Sequence, residues 1–146
     1  MTTKKIIETI LYWIWSFTWG FLMTLVGLII AIGCLITGHK PRRFHKSIYF
    51  IFGTGGWGFN AGPFFFISTD STDSLSMKQH EAGHGIQNLI FGPLMPFVVA
   101  IPSAIRFWYR EWLVNSGREK PWNLRPYDSM WFEGWATSLG EKYYPE

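Results

Sequence analysis

Residues 79–88 read "QHEAGHGIQN". On a helix, residues i and i+4 lie on one face. His80 and His84 then point their imidazoles at one place, and His80-Glu81-Ala82-Gly83-His84 is a complete His-Glu-x-x-His. Neutral imidazole suits zinc, a borderline-soft ion. Glu81, next to the first histidine, reaches a water on such an ion rather than the ion itself. It can accept that water's proton as a general base.

The flanks predict the helix independently of the motif. Ser76-Met77-Lys78-Gln79 has the Ser-x-x-Gln form of a capping box. Gly92 supplies a C-terminal stop, with Pro93 just beyond it. The helix is therefore expected from Ser76 to Phe91. Gly83 and Gly85 interrupt it, and each costs roughly 0.5–1 kcal/mol relative to alanine. Such residues are tolerated where another backbone or a substrate comes close. A strand along the helix would ask for them, and "GPFFFIS" (62–68) is the nearest candidate. Gln87 and Asn88, one turn on, are placed to hydrogen-bond a ligand's free imidazole N–H or a carbonyl.

Catalytic zinc takes three protein ligands and leaves a fourth position open. No histidine follows His84, and His39 and His45 belong to the basic run "HKPRRFHK" (39–46). That leaves an acid. Glu133, in "WFEGWATSLG" (131–140), sits among Trp131, Phe132 and Trp135. A carboxylate in such company is costly unless it is paired or binds a metal. Glu111 and Glu119 lie among basic residues and read as surface ion pairs. The expected site is thus one Zn2+ on His80, His84 and Glu133, with Glu81 as the base. Tyr127, Arg125 and Tyr143 are candidates for stabilising an oxyanion. A carboxylate-bridged di-iron bundle needs two Glu-x-x-His elements, and this chain has one.

The rest of the chain gives the site its setting. At 146 residues it is one domain's worth. It is 48% hydrophobic and only 16% charged, where a soluble domain has about a quarter of its residues charged. The net charge of +3 is too small to argue for nucleic acid, and none is expected as a partner. The single cysteine excludes an intramolecular disulfide and a cysteine-rich zinc site. Residues 9–38, 47–69 and 85–105 carry no charged side chain, and about 20 helical residues cross a bilayer.

These stretches differ. "ILYWIWSFTWGFLMTLVGLIIAIGCLI" (10–36) is apolar all round, as a lipid-embedded helix is. Its Trp13, Trp15 and Trp19 fit an interfacial aromatic belt. It exceeds the hydrocarbon thickness, so it tilts, projects or breaks near "SFTWG" (16–20). Lys40, Arg42, Arg43 and Lys46 outnumber Lys4 and Lys5, which places the following chain in the cytoplasm. In 47–69, five glycines and a proline argue against a helix. "IYFIF" and "GPFFFIS" predict a β-hairpin or two short strands. The third stretch carries Pro93, Pro96 and Pro102 and reads as a core or interfacial segment, followed by a short helix through "AIRFWYREWL" (104–113). Asp128 or Ser129 should cap a last helix that ends at Gly140. The expected fold is α+β: a transmembrane anchor and basic juxtamembrane segment over 1–46, then a zincin-like minidomain over 47–146. The minidomain comprises a β-hairpin, an active-site helix and a C-terminal ligand helix.

"HEAGHGIQNLIFGP", "VVAIPSAI" and "FEGWATSLG", in that order, resemble a group of small, largely uncharacterised bacterial membrane proteins of the zincin type. The similarity spans roughly residues 10–140, though only the short motifs are specific. More distantly, His-Glu-x-x-His with a later Glu-x-x-Ala looks like the gluzincin membrane proteases that include the CAAX prenyl proteases. The resemblance implies a zinc metallopeptidase anchored in the lipid bilayer of a bacterial inner membrane, acting on peptide or membrane-protein substrates. It implies His80, His84 and Glu133 as zinc ligands and Glu81 as catalytic base. The prenyl-protease type has an aspartate four residues after the ligand glutamate, to orient a zinc-binding histidine. Thr137 stands there in this chain. Two other readings fit the composition: a non-catalytic membrane protein with a structural or vestigial zinc site that acts by binding a partner, and an intramembrane protease.

Overall fold

The long apolar run at the N-terminus forms two helices. In the computed structural model, which describes residues 3–145, α1 (Thr3–Thr18) and α2 (Phe21–Ile36) meet at a bend of 99°. Of the outcomes open to a run this long, it takes the break, an elbow at Trp19-Gly20 inside "SFTWG", rather than one continuous transmembrane helix. Polar groups hold it: the Thr24 hydroxyl donates to the carbonyls of Ser16 and Gly20, at 2.8 and 2.9 Å. A side chain at Gly20 would run into Asn88. Among the described residues no single helix is long and apolar enough to cross a membrane.

Four short strands follow: β1 (Arg42–Phe44), β2 (Ser47–Ile51), β3 (Gly58–Ala61) and β4 (Phe64–Ile67). Their order in the sheet is β1-β2-β4-β3. The two strands foreseen at "IYFIF" and "GPFFFIS" exist, but they do not form a hairpin with each other. They pair in parallel, Ile48 opposite Phe64 and Ile51 opposite Ile67. The reason lies in the segment between them. Gly62-Pro63 makes a tight turn, with Gly62 at φ +69°, so β3 pairs back antiparallel on β4 and takes the edge.

All four residues of β4 are buried, as in a strand covered on both faces. Phe64 and Phe66 join a cluster with Met23, Ala31 and Cys34 of α2. Phe65 and Ile67 pack with Tyr49, and Met77 of the next helix lies against that cluster. The alternation is the period of two that a strand imposes.

That next helix is α3 (Leu75–Phe91), the motif helix. Its start is capped by Ser74, not Ser76: the Ser74 hydroxyl accepts from the Met77 amide at 3.1 Å. Its stop is Gly92, at φ +54°. The chain then makes a 3-10 turn (Gly92–Leu94) and one turn of π-helix (Pro96–Ala100), and enters α4 (Ile101–Asn115). With Pro102 in its first turn, α4 is longer than the sequence predicts.

The last helix, α5 (Trp131–Tyr143), is preceded by a 3-10 turn over Tyr127–Ser129. Neither Asp128 nor Ser129 caps it; Met130 holds that position without a side-chain bond. The Ser129 hydroxyl is instead taken by Arg106 at 2.9 Å. Gly140 does not end α5. It lies in the last turn of the helix, where a side chain would meet the Gln79 carbonyl of α3. Gly83 answers from α3, where a side chain would meet the Ala136 carbonyl of α5. The two helices thus touch backbone to backbone. The expectation that a strand requires the α3 glycines holds only near Gly85, which faces the Gly62 carbonyl of the β3–β4 turn and the Tyr12 hydroxyl.

Candidate metal centre

The close approach of α3 and α5 brings three side chains to one point. His80 Nε2 and His84 Nε2 are 3.2 Å apart, and each lies 3.1 Å from Glu133 Oε2. All three ligand atoms fall within 4.8 Å of one another. Ligands about 2.0–2.1 Å from a tetrahedral ion are spaced about 3.3 Å apart, so this near-equilateral triangle is the face of such a coordination sphere.

Proton positions sharpen the point. Gln87 donates its amide to the Phe132 carbonyl at 2.7 Å, so its Oε1 is the atom facing His84 Nδ1, also at 2.7 Å. That nitrogen must therefore carry a proton. Thr137 donates to the Glu133 carbonyl at 3.3 Å and so accepts from His80 Nδ1 at 3.0 Å. In their neutral form both imidazoles are thus fixed with bare Nε2 lone pairs. With neither Nε2 protonated, two lone pairs and a carboxylate oxygen would repel one another. A cation at their centre turns that repulsion into attraction. Glu133 is fully buried and its Oε1 has no partner, a further reason for a cation there. Two imidazoles and a carboxylate are a donor set that both zinc and iron(II) accept.

Electrostatics separate the two acids. Burial raises the Glu133 carboxyl, but contact with His80 and His84 outweighs it and holds the group at about 2. Burial dominates at Glu81 and pushes it up to about 7, with His80 opposing and Glu133 adding to the rise. Glu81 is 4% exposed and its Oε2 has no partner. Gly58 on β3 gives Glu81 its room, since a side chain there would strike Glu81 Oε1.

The open side of the triangle faces a cleft of about 910 Å3. β3 forms one wall, through Gly58, Phe59 and Asn60, and α4 forms another. Tyr127 lines it and its hydroxyl donates to the Ser103 carbonyl at 3.2 Å. Burial raises the Tyr127 phenol, so it stays protonated and able to donate.

The structure therefore brings together His80, Glu81, His84, Glu133, Gln87, Thr137 and Tyr127. It leaves out Arg125, which is exposed and engages Arg110 through its carbonyl, and Tyr143, which is 54% exposed; neither lines the cleft. Asn88 turns away and donates to the Gly20 carbonyl at 3.3 Å. Sequence reasoning missed Ser103 and Asn60. Asn60 ties β3 to α3 by donating to the Glu81 carbonyl at 2.8 Å. A polar residue in an otherwise apolar strand was the available signal.

No family model, curated protein or solved structure matches the chain. The zincin resemblance rests on its motifs.

Proposed function

We propose that the chain is a membrane-associated zinc metallopeptidase. One observation carries the reading: three electron pairs, oriented from outside by Gln87 and Thr137, converge on a point that opens to a cleft beside a buried glutamate. A structural zinc site is closed by four protein ligands, whereas a catalytic one has three and an open side. Glu81 favours hydrolysis over iron-dependent oxidation, because such oxidation needs no base there.

His80, His84 and Glu133 would hold the ion. Once bound, it would polarise a peptide carbonyl and make water acidic. Glu81, whose pKa stands near neutrality, accepts a proton from water in the cleft and later delivers it to the leaving amine. Tyr127 would swing its one proton from the Ser103 carbonyl toward the developing oxyanion. β3, an edge strand on the cleft, aligns an extended peptide by strand addition.

Membrane association is supported by the surface. Ile10, Ile14, Ile29 and Ile36 on α1 and α2, and Ile105 and Trp108 on α4, are each more than half exposed. Only in combination are α1 with α2, and α3 with α4, long and apolar enough to reach across a bilayer, and the second pair is bent by 116°. Both fit re-entrant elements better than straight crossings. Arg42 and Arg43, exposed on β1 after α2, suit the anionic cytoplasmic face of a bacterial inner membrane.

Metal analysis of the purified protein, with Glu81→Gln in parallel, tests the reading. About one zinc per chain is expected in both proteins. Peptide hydrolysis should fall by at least about 100-fold in the variant. Absence of zinc, or undiminished hydrolysis by the variant, would sink it.

A further inference from the structure

The cleft has a chemical character that the metal site does not explain. Its walls are apolar: Trp57, Phe59, Met95, Val99, Phe107 and Trp108 all face it. Among the described residues that line it, none is a lysine or arginine. Two acids outside the metal centre do, Glu111 and Asp128, and both are exposed to solvent. The arginines of α4 do not line the cleft but pack behind it, Arg106 and Arg110 lying 5.5 and 5.6 Å from the ring of Tyr127. Arg106 donates to the Pro126 carbonyl and Ser129, and Arg110 to the Arg125 carbonyl.

Within these walls two buried oxygens have no partner, Glu81 Oε2 and Asn60 Oδ1. Asn60 spends its amide on the Gly62 and Glu81 carbonyls, so the oxygen is left as an acceptor. Both residues line the cleft. A peptide backbone N–H and a water are groups that would satisfy them.

We infer, resting on the peptidase reading, that the cleft takes an extended apolar peptide segment bearing a basic residue three to four positions from the bond to be cut. The spacing follows from α4. Ala100, Ser103, Ala104, Phe107 and Glu111 recur on one helical face along the cleft. Ser103 lines the cleft together with the three ligands and is hydrogen-bonded to Tyr127 at 3.0 Å. Glu111 is eight residues further on, or about 12 Å along the axis at about 1.5 Å per residue. An extended peptide covers that distance in three to four residues at about 3.4 Å each. A bound zinc would balance the charges of Glu81 and Glu133, leaving Glu111 and Asp128 as the charged side chains that line the cleft. An apolar segment with a basic flank is the chemistry of a membrane-protein stretch near the bilayer surface. It would reach the cleft along α4, whose other side chains, such as Ile101 and Ile105, are exposed and apolar.

The test uses the full chain, zinc-loaded, in detergent micelles. Synthetic apolar peptides carry a single Lys, Gln or Glu scanned along their length, and products are identified by mass spectrometry. Lys at three or four positions to one side of the cleaved bond should raise kcat/KM by about fivefold over Gln, an effect that fades with salt. Glu111→Lys should transfer the preference to the Glu-bearing peptide. Hydrolysis that ignores the scanned charge, or a Lys preference unchanged in Glu111→Lys, overturns the inference and leaves the peptidase reading intact. The same peptides are titrated onto zinc-loaded Glu81→Gln protein by tryptophan fluorescence. Lys-dependent binding without hydrolysis by the unmutated protein supports the cleft assignment and removes the peptidase reading. Charge-independent or absent binding overturns the cleft assignment itself.

Discussion

Gln87 is fully buried and bonds both to a candidate ligand and to the backbone that precedes another. Replacing it by leucine would leave the His84 Nδ1 proton and the Phe132 carbonyl unpaired, and would free the imidazole to turn. Zinc affinity, measured by competition with a chelating dye, is expected to fall about 10- to 100-fold. Glu81 yields a different test. An acid whose folded pKa exceeds its unfolded value loses stability as it ionises. The loss is absent below about 4.5, grows as pH rises to about 7, and is complete above that. In the metal-free protein, Glu81→Gln should therefore be more stable than the parent by about 3 kcal/mol near pH 8 and equal to it near pH 4. Denaturation of both proteins at the two pH values checks this. At this scale much was legible. Histidines at i and i+4 carry their geometry in their spacing, and Glu133 stood out as an acid among aromatics. Arg125 and Tyr143 misled because chemical type alone says nothing of direction. Ser103 lay in a quoted motif, but its place in the site was not legible because only the tertiary fold brings α4 to the turn carrying Tyr127.

At the scale of the element, α3 and α5 approach so closely that side chains are excluded at Gly83 and Gly140. Gly83→Ala would gain roughly 0.5–1 kcal/mol of helix propensity. It would also drive a methyl into the Ala136 carbonyl, and overpacking typically costs about 1–3 kcal/mol. The variant is expected to be less stable than the parent by thermal denaturation, and to bind zinc more weakly because Glu133 is displaced. A gain in stability would mean that the helices have room to part. Helix α3 was predictable from Gly92, where a positive φ favours glycine, and from a serine cap, although the cap is two residues earlier. The sheet was not. Alternation of apolar residues marks a strand, but partner choice was decided by the Gly62-Pro63 turn, which folds β3 onto β4 and leaves β2 to pair in parallel.

At the scale of the whole molecule, the elbow bears directly on the body of the fold. Trp15 donates to the Leu89 carbonyl at 3.1 Å, at the C-terminal end of α3 where carbonyls otherwise lack helical partners. The apolar run announced a membrane element, but its length fitted a tilt as well as a break; polar contacts from Thr24 and Asn88 select the break. If α1 and α2 form a re-entrant element, Lys5 and Thr54, which flank it and are both exposed, lie on the same side of the bilayer. Cysteines placed there one at a time, with Cys34 replaced by serine, should both react with a membrane-impermeant maleimide from the cytoplasmic face alone. Labelling from opposite faces would refute the re-entrant arrangement.

The candidate site joins His84 to a glutamate 49 residues later. An ion held there would act as a reversible staple across that stretch of chain. By the chain-entropy account of cross-links, closing a loop of this length is worth about 4 kcal/mol. The loop contains α4 and the segment carrying Tyr127, so the wall of the cleft is strung between two ligands of one ion. A chelator should consequently do more than silence chemistry. It should lower the melting temperature by several degrees and loosen residues 92–130 first, seen as faster amide exchange there than in β2 and β4.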